Sequence, residues 1–216
     1  MSSSSSHPHA RLIQQAAKEI LAPLGVFQRG RSRLWIDDHG WWLTLIEFQP
    51  SSWSKGSYLN VAAMWLWNER DYFSFDVGHR ARGFVAYENE AQFQPEIARQ
   101  AIAARERVLE FRKQFPSIDG IAQFLKKNAK ERNPHQLLDA AIALVYVGKV
   151  KDSRAVFAKI FSQKPTYDWE KDVQNRARQL EELLNDPAAF RKRIEQAVLT
   201  TRKLLKLPER ADVRIS

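Results

Sequence analysis

Between Ala10 and Leu24, apolar residues Leu12, Ile13, Ala16, Ala17, Ile20 and Leu24 recur at three- and four-residue spacing. That spacing predicts a helix with one apolar stripe. Pro23 and Gly25 close it, since proline cannot extend the helix and glycine permits the reversal. From Phe27 the period shortens. Phe27-Gln28-Arg29 and Arg33-Leu34-Trp35-Ile36 predict short strands, and Asp37-Asp38-His39-Gly40 predicts a turn. Trp41–Gln49 follows, rich in aromatic and β-branched residues, so the two sides form a hairpin. Pro50–Ser57 reads as a loop, Tyr58–Trp67 as the next strand and Gly83–Tyr87 as the last strand of an antiparallel meander. Polar groups enter Trp41–Gln49 toward Gln49. The sheet is therefore expected to need cover on one face and to present a mixed aromatic and polar surface on the other.

After Asn89 the pattern is helical. Phe93, Ile97, Ala101, Ala104, Val108 and Phe111 keep a helical period through Glu90–Phe115. Pro116 ends that helix, and Ser117 is the expected N-cap of Ile118–Ala129. Asn133-Pro134 opens a further helix. A second one follows the Gly148 turn and stops before Pro165. Ala141, Gly148, Phe157 and Pro165 fit the spacing of a tetratricopeptide unit. However, Leu144 stands at its aromatic position and Ser153 at its small one, which favours a plain helical hairpin. Asp168–Leu184 and Pro187–Lys206 are the last two helices, separated by the stop and cap Asn185-Asp186-Pro187.

Charge divides the chain at the same place. The 216 residues carry a net +9, yet residues 1–90 hold nine basic and nine acidic groups. The excess lies wholly after residue 90, whereas six of the seven Trp fall between Trp35 and Trp67. The expected organisation is a disordered lead-in over 1–9, an α+β domain over 10–115 and an α-helical region over 116–216. The fold class is α+β: an N-terminal helix packed on an antiparallel β-meander, followed by an all-α C-terminal region. Without Cys there is no disulfide framework, thiolate nucleophile, iron–sulfur cluster or zinc ribbon. No apolar run reaches the roughly 18 residues that span a bilayer, and MSSSSSHPHA lacks the basic and apolar regions of a secretory leader. The expected location is the cytoplasm, with no membrane partner.

The chemistry-bearing motifs are few. No phosphate-cradling glycine loop, HExxH or GxSxG occurs. The histidines at 7, 9, 39, 79 and 135 are too scattered for a shared ligand set. No catalytic residue, metal site or cofactor is assigned. Asp37-Asp38-His39 could pair carboxylates with a base, but the cluster is also what a polar hairpin turn demands. Glu47, Gln49, Ser51, Ser52, Trp53, Tyr58 and Asn60 surround the loop between two central strands, so they should converge on one end or face of the sheet. Polar groups beside Trp and Tyr are the usual makings of a recognition surface. Two basic runs, Lys126, Lys127, Lys130 and Arg132, then Arg191, Lys192 and Arg193 with Arg202, Lys203 and Lys206, could neutralise phosphates. Yet Phe190, Ile194, Ala197, Val198, Thr201 and Leu205 form an apolar stripe, which makes the later cations its solvated opposite face.

Leu21-Ala22-Pro23-Leu24-Gly25-Val26-Phe27-Gln28-Arg29, Leu34-Trp35-Ile36, Phe48-Gln49-Pro50-Ser51-Ser52-Trp53 and Tyr58-Leu59-Asn60-Val61 together resemble the bacterial domain of unknown function 4304 family, over about residues 10–87. Val26 departs from the Phe expected directly after the glycine. The resemblance implies an α+β architecture and brings no established activity. Three functions are consistent with the chain. The leading one is a non-enzymatic protein-binding module using the aromatic-polar sheet face, with toxin neutralisation as a concrete version. The second is a nucleic-acid-associated protein using the basic helices. The third is an enzyme assembled from dispersed groups such as Glu47 with His79, Arg80 or Arg82.

Overall fold

A computed structural model describes residues 8–210 and 213–215. The chain forms two compact units. The first comprises the residues up to Met64 together with Phe73–Lys113; the second comprises Trp65–Tyr72 and Gln114 onward. The expected division at residue 115 treated each part as continuous in sequence. Instead, the segment Trp65–Tyr72 leaves the first unit and belongs to the second.

In the first unit, α1 spans Pro8–Leu21 and is followed by a 3-10 turn, Ala22–Leu24, that contains Pro23. Gly25 then takes a left-handed φ of 82° and donates its N–H to the Ala22 carbonyl, which is the reversal the sequence implied. The helix begins two residues earlier than expected, with His9 buried; residues 1–7 of the expected lead-in lie outside the described residues. Five antiparallel strands follow in sequential order: β1 Phe27–Gln28, β2 Leu34–Asp38, β3 Trp42–Gln49, β4 Gly56–Trp65 and β5 Val77–Ala86. The meander holds, but β4 stops at Trp65, so Trp67 lies outside the strand. β5 starts six residues before the expected Gly83. Its early residues, Val77-Gly78-His79-Arg80-Ala81-Arg82, carry charges and a glycine that read as loop, and they suit the exposed edge of a sheet. Pairing of β4 with β5 shifts register twice, between Ser57 and Leu59 and again between Leu59 and Asn60, and brings Asn60 opposite Arg80.

The long helix α2, Glu90–Gln114, buries Phe93, Ile97, Ala101, Ala104, Val108 and Phe111 along one side. Each large apolar side chain so buried contributes about 1.5–3 kcal/mol. Two polar anchors fix its path. The Gln100 amide donates to the Ser57 and Gly83 carbonyls on β4 and β5, and Arg112 reaches Asp37 on β2. The helix therefore crosses the sheet from its β4–β5 side to β2. Leu43, Thr44, Leu45 and Ile46 of β3 and Val61 through Trp65 of β4 are all buried, so the middle of the sheet is covered on both faces. The mixed aromatic and polar surface expected of one face therefore covers only part of the sheet. The apolar residues of β3 and β4 occupy both alternating registers, and polar exposure survives toward Gln49, in the loop after it and along the edge strand β5.

The second unit contains α3 Ile118–Asn128, α4 Pro134–Tyr146, α5 Val150–Phe161, α6 Asp168–Glu182 and α7 Pro187–Leu204. Helix α4 is buried from Leu137 to Tyr146 and packs against α3, α5 and α6, as a helix apolar all round must. Asn133 and Asp186 cap α4 and α7 through side-chain acceptors. Ser117 stands at the N-cap of α3 with extended backbone but makes no side-chain cap bond, contrary to expectation. Ser153 of α5 donates to the Ala141 carbonyl of α4, allowing close approach within the α4–α5 hairpin. Trp65 stacks on Trp67 and meets Phe115 edge-on. The buried Asp139 accepts from Trp67 Nε1 and Asn68 Nδ2, each at 2.8 Å.

Candidate functional site

The strongest polar constellation lies where β3, β4 and β5 run side by side at the Gln49 end. Asn60 Nδ2 donates to Glu47 Oε2 at 2.9 Å and to Gln49 Oε1 at 3.0 Å. Arg80 Nη2 donates to the same Gln49 oxygen at 3.1 Å. The Arg80 guanidinium also lies 3.9 Å over the Tyr58 ring, and Tyr58 in turn meets Phe84 at 4.9 Å. The paired donors on Gln49 Oε1 fix the orientation of its amide. Glu47, Gln49, Tyr58 and Asn60 are thus brought together. Arg80, considered from the sequence only as a partner of Glu47, binds Gln49 and Tyr58 instead.

Ser51 and Trp53 stand apart from that network, on the β3–β4 loop. Ser51 Oγ accepts the Trp53 backbone N–H at 3.1 Å, and the Trp53 side chain is 96% exposed. A tryptophan left in water at a loop tip makes no contribution to the core. A hollow of about 310 Å³ opens beside it, lined by Arg33, Ser51, Ser52, Trp53, Ser54 and Lys55 among others. Gly56 begins β4 with φ 150°, and a Cβ there would sit 2.2 Å from the Val85 carbonyl oxygen. This glycine is needed where the loop enters the sheet.

The Asp37-Asp38-His39 cluster is more than a turn. Asp38 Oδ1 accepts the Gly40 N–H and shapes the turn, but Asp37 is a buried strand residue. Arg112 grips it with two bonds, Nε to Oδ2 at 2.9 Å and Nη2 to Oδ1 at 2.7 Å, and His39 Nε2 lies 2.8 Å from Oδ2. Burial alone pushes the Asp37 carboxyl up, but hydrogen bonds from His39 and Arg112, with their charges, hold it below the ordinary carboxylate value. The same Arg112 donates to the Leu24 carbonyl. These contacts tie α2 to the hairpin.

A second concavity belongs to the helical unit. It encloses about 560 Å³ and is lined by residues including Arg70, Tyr72, His135, Trp169, Asp172 and Arg176. His135 and Trp169 stack with ring centroids 5.2 Å apart. Burial pushes the Arg176 guanidinium down to about 10, and its Nη2 donates to the Trp67 carbonyl. Glu69, Asp71 and Asp172 also line this cleft, so its charges are mixed. Its aromatic wall escaped sequence reasoning because Trp169 lies about a hundred residues beyond the other tryptophans. Proximity across that distance leaves no spacing signal.

The basic runs are partly consumed by structure. Lys126 pairs with Asp152 at 2.6 Å, Arg193 pairs with Glu69 at 2.8 Å and Arg191 lies over Tyr146. Lys127, Lys130 and Arg132 are exposed. Arg202, expected on a solvated face, is buried and donates to the Pro208 carbonyl at 2.7 Å. Among the described residues no helix is long and apolar enough to cross a membrane. No family model, curated protein or solved structure matches this chain, so no residue role comes to it from a relative.

Proposed function

We propose that the chain is a non-enzymatic protein-binding module, with the β3–β4 loop and the adjoining Glu47, Gln49, Tyr58, Asn60 and Arg80 face as its contact surface. The observation that carries this reading is Trp53, nearly fully exposed on the loop that joins the two strands carrying the organised Glu47, Gln49 and Asn60 network. Exposed aromatic anchors flanked by ordered polar groups are the makings of an interface hot spot. The hydrogen bonds within the network reduce the side-chain entropy lost on association. Residues 10–87 are read as a distant member of the domain of unknown function 4304 family, the protein as cytoplasmic, and toxin neutralisation as one role that would use such a surface.

Co-purification from native lysate, with and without nuclease, tests the reading. Wild type should retain a protein that Trp53→Ala and Arg80→Ala lose, and nuclease should make no difference. Retention by both variants, or release of the partner by nuclease, would overturn it.

A further inference from the structure

Arg33 is a half-buried guanidinium with no acidic partner among the described residues. Its side-chain hydrogen bond runs from Nη1 to the Gly56 carbonyl at 3.1 Å. Burial pushes its pKa below the ordinary arginine value, and no neighbouring charge offsets that effect. Arg33 lines the 310 Å³ hollow with Lys55, which makes no ion pair among the described residues. The hollow's described lining contains no carboxylate. It does contain three serines, Ser51, Ser52 and Ser54. Because Ser51 Oγ already accepts the Trp53 N–H, its own proton remains available to donate. Two cations and three serines therefore line one hollow, together with His9, and no described lining residue brings a negative charge to it. Such donors bind ionised oxygens about twice as strongly as neutral ones.

We propose that this hollow is an oxyanion pocket that takes a carboxylate or phosphate group from an acidic segment of the protein partner. The inference rests on the reading of Trp53 as a contact residue. It deepens that reading by naming the partner's chemistry: an anionic side chain enters between Arg33 and Lys55 while an apolar neighbour packs on the Trp53 indole. The charge balance of the first ninety residues hides this site, because its cations come from the bend before β2 and from the β3–β4 loop and meet only in the fold.

Three fluorescein-labelled peptides, identical except for a central Ser, Glu or phosphoserine, are titrated against the full chain. Amide chemical shifts of Ser51–Gly56 are followed in parallel. The Glu or phosphoserine peptide should bind and shift those amides while the Ser peptide does not. The tighter of the two identifies the source of the oxyanion. Lys55→Gln and Arg33→Gln should each weaken binding by about fivefold or more. Lys55 is exposed, so its variant carries the test even if Arg33→Gln disturbs folding. Equal binding of the Ser peptide, or affinity unchanged in Lys55→Gln, overturns the proposal. A partner that is lost from Trp53→Ala but ignores anionic peptides overturns the pocket alone. Anionic peptides that bind where no protein contacts position 53 overturn the contact reading alone.

Discussion

Arg112→Met should be among the costliest substitutions in the first unit, although Arg112 is itself one-third exposed. It removes both bonds to the Asp37 carboxylate, whose side chain is only 6% exposed, and the bond to the Leu24 carbonyl. Breaking a buried ion pair from one side costs about 3–5 kcal/mol. The partial exposure of Arg112 and the remaining His39 contact place the expected loss near the lower end, about 3 kcal/mol. For a unit of this size, that corresponds to a Tm lower by very roughly 12–24 °C. The pH dependence has a definite sign. The folded Asp37 pKa lies below its ordinary value of 3.8, so the pair's contribution is complete above that value. It is lost as pH falls through the lowered folded pKa. The gap between wild type and variant should be full near neutral pH and should close as acid protonates Asp37. Hydrogen exchange of the β2 and β3 amides against urea isolates this unit from the helical one. Removing the charge as well, in Asp37→Asn/Arg112→Met, should recover more than about 1 kcal/mol, since an unpaired buried charge is what makes the single variant expensive. A loss under about 1 kcal/mol in the single variant, or a gap that ignores acid, would refute the assignment of Asp37 as a buried ionic anchor.

In the helical unit, Asp139→Ala leaves the Trp67 and Asn68 donors without that shared acceptor and should cost about 2–4 kcal/mol by chemical denaturation. A neutral result would mean those donors find other acceptors. Gly56→Ala forces a Cβ against the Val85 carbonyl and should cost about 2–4 kcal/mol, with the loss of protection centred on the β4–β5 pair. Wild-type protection there would show that the loop shifts freely. Trp53→Ala should move thermal stability by no more than about 0.5 kcal/mol, and a larger loss would assign its indole to packing.

Much of the fold was legible because its signals are local. The α1 stripe, the Gly25 reversal, the hairpin about Gly40 and the caps at Asn133 and Asp186 each depend on residues a few positions apart. The early half of β5 was hidden because an edge strand does not need apolar alternation, and His79, Arg80 and Arg82 look like loop. The mixed sheet face was overestimated because alternation cannot show whether the second face is covered. The polar group at Glu47, Gln49, Tyr58 and Asn60 was legible from strand order alone, since consecutive antiparallel strands bring loop-flanking residues together. Arg33 and Arg112 were not legible as site and anchor. Each acts through a partner more than twenty positions away, and a lone arginine has the same appearance in sequence whether it is solvated or half-buried.

The central claim is that Trp53 and its surroundings are a protein-contact surface. A photo-cross-linking amino acid placed at position 53, with a control at exposed Glu131 of the other unit, tests it most directly in the native cell. The account predicts one discrete protein adduct at position 53 that is absent at position 131 and diminished by Lys55→Gln. No adduct at position 53, or the same adducts at both positions, would contradict it.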